Sequence, residues 1–132
     1  MEPESTQHTA QSQKTILVVE DDEMLRDLVV GVLEENGYSV LTAVDGLMAV
    51  DQYRLHQQRI SLVLSDMGLP KLGGWEAFLQ MKEINPNVKT IMASGYFDPK
   101  MREEMMRAGA LDFVQKPYVM NEVLQKIHDA IA

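Results

Sequence analysis

Glu20-Asp21-Asp22, Asp66, Ser94 and Lys116 each stand where a short apolar run of strand-forming residues gives out. Residues at the carboxyl ends of parallel strands meet at one edge of the sheet, the edge at which open α/β sheets bind their ligands. Carboxylates gathered there would repel one another unless a cation joined them. An all-oxygen donor set on partly open loops suits a hard ion that keeps some of its waters, which points to magnesium. A carboxylate beside such an ion can accept a phosphoryl group, because the metal and a nearby lysine neutralise charge on the equatorial oxygens. Taken singly, each residue has a plainer reading. The acids after the first run would complement the positive end of a helix, Asp66 would close a turn, Ser94-Gly95 would be a turn, and Lys116 a surface lysine. Their joint placement, each at a strand end, is what favours a site.

The elements that must position these residues alternate along the chain. Met1 to Gln13 is polar and unpatterned and reads as a flexible tail or linker end, with the folded domain spanning residues 14–132. Thr15 to Val19 is a continuous apolar strand of the kind buried on both faces. From Met24 the period turns helical, with Leu25, Leu28, Val29, Val32 and Leu33 on one face until Asn36-Gly37 supplies a left-handed stop. Tyr38 to Ala43 reads as a second strand, Asp45 to about His56 as a helix, and Ser61 to Asp66 as a third strand running straight into Gly68 and Pro70. Trp75 to Ile84 is helical and stops at Asn85-Pro86, and Lys89 to Ala93 is a fourth strand. Asp98-Pro99 predicts a helix start, cap then first-turn proline, and Gly109 a stop. Leu111 to Gln115 is the fifth strand and about Asn121 to Ile131 the last helix. Five strand-then-helix units with short connections predict a doubly wound α/β domain, a parallel sheet with helices on both faces.

Composition narrows the function. A net charge of -8 argues against binding nucleic acid through phosphates and suits a cation or a basic partner surface. The absence of cysteine excludes disulfides, thiolate metal sites and cysteine nucleophiles. No apolar run approaches a membrane span and no signal-peptide order opens the chain, so a soluble, cytoplasmic protein without membrane insertion is expected.

On these motifs the sequence resembles the receiver domain of bacterial two-component response regulators. The likeness covers Lys14 to Ala132 and rests on Ile16-Leu17-Val18-Val19-Glu20-Asp21-Asp22, Asp66-Met67-Gly68-Leu69-Pro70 with Gly74 following, Ala93-Ser94-Gly95, and Gly109-Ala110 through Asp112-Phe113 to Lys116-Pro117. It implies a flavodoxin-like five-stranded parallel sheet in the order 2-1-3-4-5 with five helices. It implies that Asp66 accepts a phosphoryl group from a kinase phosphohistidine, and that Glu20, Asp21, Asp66 and the Gly68 backbone carbonyl hold magnesium. Ser94 would turn toward the phosphoryl group, Lys116 would pair with it, and Phe113 would be the aromatic switch residue. The Lys116-Pro117 peptide would be cis. The partners implied are a histidine kinase or phosphotransfer domain, with a homodimer through helix four, strand five and helix five as a further use of the output face. The chain would be a switch that assists only its own phosphorylation and dephosphorylation. It reads either as a stand-alone regulator or as the receiver of a hybrid sensor histidine kinase.

The sequence departs from the family at Gly68 and Gly73, where larger polar or acidic residues are frequent, and Tyr96 is placed to cover the loop or shield the phosphoryl group. An aspartyl phosphatase would carry a second acid at Gly68. A flavin-binding module would have a Gly/Ser/Thr-rich loop where the acids after Val19 stand. His8, His56 and His128 read as bland, Trp75 as packing, and Met101, Met105 and Met106 as an adaptable apolar stripe on helix four.

Overall fold

The computed structural model describes residues 13–131. The expected tail lies outside these residues apart from Gln13. Five strands, β1 (Thr15–Val19), β2 (Ser39–Ala43), β3 (Ile60–Asp66), β4 (Thr90–Ser94) and β5 (Asp112–Gln115), alternate with five helices. These are α1 (Glu23–Glu35), α2 (Gly46–His56), α3 (Gly74–Ile84), α4 (Pro99–Ala108) and α5 (Met120–Ile131). All strand pairs are parallel and the sheet order is β2-β1-β3-β4-β5, the doubly wound, flavodoxin-like arrangement expected.

Alternate side chains of each strand feed two separate cores. Ile16, Val18, Leu62, Leu64, Ile91 and Val114 pack with Val29 and Leu33 of α1 and Val123 and Ile127 of α5. Leu17, Val19, Val63, Met92 and Phe113 pack with Tyr53 of α2, Phe78 and Met81 of α3, and Met105 of α4. Each fully buried large side chain contributes about 1.5–3 kcal/mol. That burial on both sides is why β1 is a continuous apolar run and not an alternating one.

The helix boundaries have local causes. Asp22 and Asp45 accept from the backbone N–H of Leu25 and Met48, at 3.2 and 2.8 Å, and so start α1 and α2. Gly37 and Gly109 take φ of 91° and 113°, which ends α1 and α4. Asp98 is the N-cap of α4 and Pro99 its first-turn proline, as expected, although the Asp98 carboxylate accepts no cap hydrogen bond. Backbone alone starts α4, with the Arg102 N–H donating to the Asp98 carbonyl at 2.9 Å. Leu28 corrects one expectation, being exposed. The apolar stripe of α1 centres on Val29 and Leu33, and the 100° step between residues carries Leu28 out of it. At Gly74 a side chain is impossible without movement, since a Cβ would run into the Asp66 carbonyl and come 2.9 Å from Met67 Cα. The start of α3 is thereby laid directly against the end of β3.

Candidate functional site

Sheet register brings the strand ends together. Val19 pairs with Ser65, so the next residue on each strand, Glu20 and Asp66, lie side by side. Asp66 pairs with Ala93 and Ser94 with Gln115, which brings Lys116 to the same edge. Backbone hydrogen bonds carry the ladder past the last paired residues: Glu20 N–H donates to Ala43 at 3.0 Å, and Met67 and Lys116 N–H donate to Ala93 and Ser94, both at 2.8 Å.

At that edge Glu20, Asp21 and Asp66 each offer a carboxylate oxygen, all within 4.8 Å of one another. Glu20 and Asp66 are buried while Asp21 faces solvent. The Lys116 ammonium stands 2.8 Å from Glu20 Oε1 and 3.3 Å from Asp66 Oδ2. Burial alone would push this lysine down, but the Glu20 and Asp66 carboxylates outweigh it and hold the group above its ordinary value. Tyr118 lies beside them, its ring centroid 5.8 Å from the ammonium. Burial, and then the same two carboxylates, push its phenol well up.

These residues fit a hard divalent cation. Three carboxylates meet here and one ammonium pairs with two of them, Glu20 and Asp66, which leaves a net negative charge at the cluster. Glu20 Oε1 is buried, with the Lys116 ammonium 2.8 Å away as its counter-ion and no other polar partner among the described residues. An oxygen in that position is a ready ligand. Gly68 follows in the exposed loop after Asp66, with open space where a side chain would be.

Ser94 does not join the carboxylates. Its hydroxyl donates to the Tyr96 carbonyl at 2.8 Å and accepts from the Tyr96 N–H at 3.3 Å, so it is engaged by its own loop. Tyr96 itself is 74% exposed. Phe113 is already buried, edge-on to Phe97 at 5.1 Å between centroids, with the Arg102 guanidinium 4.8 Å from its ring centre. The Lys116-Pro117 peptide is cis.

Residues 16–128 match the family model described as the response regulator receiver domain. The chain belongs to that family. This receiver is 32% identical over 117 residues to the chemotaxis protein CheY of Bacillus subtilis, covering 88% of this chain and 96% of the relative. It is 34% identical over 108 residues to sporulation initiation phosphotransferase F of the same organism, covering 82% and 86%. Among solved structures it is similar to a chain of the CheX–CheY–BeF3–magnesium complex from Borrelia burgdorferi, with a TM-score of 0.86 and 26% identity over 90% of each chain. A receiver is a phospho-accepting signalling switch that works with histidine kinases and phosphotransfer proteins. Among the described residues, no helix of the receiver is long and apolar enough to cross a membrane.

Outside the acidic cluster the sequence reading is mixed. Trp75 packs as expected, stacked on Phe78 at 5.4 Å. The methionine stripe of α4 divides: Met105 is fully buried in the core, whereas Met101 and Met106 are exposed. Only the latter two belong to a surface. Of the histidines, His128 is exposed on α5, His56 ends α2, and His8 lies outside the described residues. Sequence reasoning missed Tyr118 and also Arg26, whose Nη1 donates to the Glu20 carbonyl at 3.0 Å. The signal for Arg26 was available, since long side chains in a helix's opening turns project back toward its N-terminus.

Proposed function

We propose that Asp66 is the phosphoryl acceptor and that the cluster around it binds magnesium through Glu20, Asp21, Asp66 and the Gly68 carbonyl. The observation that carries this reading is the meeting of three carboxylates within 4.8 Å under a single lysine. An Asp66 oxygen forms the new bond to phosphorus as the phosphorus–nitrogen bond of a partner phosphohistidine breaks, the bonding pair staying on the imidazole. When bound, the metal supplies positive charge to the phosphoryl oxygens. Lys116 holds the acceptor carboxylate and then pairs with the transferred group. Glu20, buried beside Asp66, keeps that lysine in place. The same groups serve the domain's own phosphorylation and dephosphorylation.

The acyl phosphate adds negative charge at Asp66. To answer it, the Ser94 hydroxyl has to leave the Tyr96 carbonyl, which loosens the loop that carries Phe97 against Phe113. The altered surface of α4, β5 and α5 is the output, and it serves a partner or a second copy of the chain. Residues 1–13 are the lead-in to a domain of residues 14–132.

Acetyl phosphate with magnesium tests the reading by intact-mass spectrometry. One labile phosphoryl group should appear, and it should be absent from Asp66→Asn and after chelation. A label retained by Asp66→Asn, or repeated turnover of organic phosphates, would sink the proposal.

A further inference from the structure

Glu20 is restrained at four atoms. Its N–H donates to Ala43 at 3.0 Å, its Oε2 accepts the Asp22 N–H at 3.1 Å, and its Oε1 faces Lys116 at 2.8 Å. The fourth restraint comes from a helix side chain: Arg26 of α1 reaches back six residues to donate to the Glu20 carbonyl at 3.0 Å. We infer that Arg26 is a positioning residue for the cation site, setting the Asp21 carboxylate by pinning the peptide that joins Glu20 to Asp21.

The peptide unit is planar, so fixing the Glu20 carbonyl oxygen also fixes the Asp21 nitrogen and Cα. That matters most for Asp21. Glu20 and Asp66 are held by burial and by Lys116, whereas Asp21 is exposed and its placement follows from its backbone. The location of the arginine is itself informative. A cation in the opening turns of a helix sits at the positive end of the helix dipole, where it is disfavoured. The hydrogen bond to Glu20 is the compensating contact.

This inference rests on the reading of the cluster as a cation site, and charge gives it a decisive sign. Removing a positive group near a cation site strengthens cation binding if the group acts only through its charge. Removing a positioning residue weakens it. Magnesium binding to the whole chain is therefore titrated calorimetrically for wild type, Arg26→Met and Arg26→Lys, all three side chains being good helix formers. The expected result is affinity about tenfold weaker for Arg26→Met, in line with the loss of groups that orient metal ligands, with Arg26→Lys in between. Without metal, the Asp22 amide of Arg26→Met, which donates to Glu20 Oε2, should also exchange with solvent faster than in wild type. Equal or tighter binding by Arg26→Met overturns the positioning role while leaving the cation site intact. Failure of the wild type to bind magnesium overturns both.

Discussion

The Lys116 ammonium lies nearer to Glu20, at 2.8 Å, than to Asp66, at 3.3 Å. Before any phosphoryl group arrives, the lysine is thus first the counter-ion of a buried acid. Lys116→Met leaves Glu20 and Asp66 together without a cation. Breaking a buried pair on one side costs about 3–5 kcal/mol, and the partial exposure of Lys116 brings the expected loss to about 2 kcal/mol. Urea unfolding without magnesium should show that loss, and saturating magnesium should recover part of it. An unchanged midpoint would mean that the lysine is not neutralising the acids.

Asp66→Asn changes the cluster in the opposite sense. Removing one of three neighbouring carboxylates relieves like-charge repulsion while Lys116 stays paired with Glu20. The metal-free variant should be at least as stable as the wild type, and its stabilisation by magnesium should shrink. Paired melting curves with and without magnesium check this, and a strongly destabilised metal-free variant would contradict it.

The strand ends were legible in the sequence because chemistry and period agree there. β1 and β3 are apolar runs that terminate in acids, and the sheet order sets those acids side by side. What the sequence did not show was orientation. Ser94 sits at the expected strand end, yet its hydroxyl is satisfied by the carbonyl two residues on, a local bond that competes with any longer reach. Met101, Met105 and Met106 look alike in a helical pattern, but only Met105 faces the sheet. For Arg26 the sequence offered the direction of reach, back toward the start of α1, but not the acceptor, since a backbone carbonyl is not marked by residue type.

Phe113 is held inward by two neighbours of different kinds, the edge of Phe97 and the cation of Arg102. Phe113→Ala should cost about 3–5 kcal/mol, as expected for emptying a buried aromatic site. Arg102→Ala should cost only about 0.5–1 kcal/mol, the range of an exposed cation–π contact. In a double-mutant cycle the arginine's effect should vanish once Phe113 is gone, and additive effects would show that the two do not interact.

Alkaline pH should weaken the fold, and the sign follows from Tyr118 and Lys116. Burial, then Glu20 and Asp66, raise the Tyr118 phenol above its ordinary 10.0. For Lys116, burial pulls down but the two carboxylates prevail, so its pKa is raised too. The folded state therefore holds both protons more tightly than the unfolded chain. Stability from these groups is whole below about pH 10 and is lost as pH rises through the folded values. Tyr118→Phe should flatten the decline of urea midpoints above about pH 10. An identical alkaline limb in the variant would show that the phenol is not responsible.

The partition of strand side chains between two cores has a consequence for how such a domain diversifies. Leu17 and Val18 are adjacent in sequence yet belong to different packing neighbourhoods, one with α2, α3 and α4, the other with α1 and α5. A volume change in one layer can be compensated within that layer while the other keeps its fit. The helices on the two sides of the sheet are therefore free to drift in shape on separate schedules, each answering to its own set of partners, around a row of strand ends that stays put.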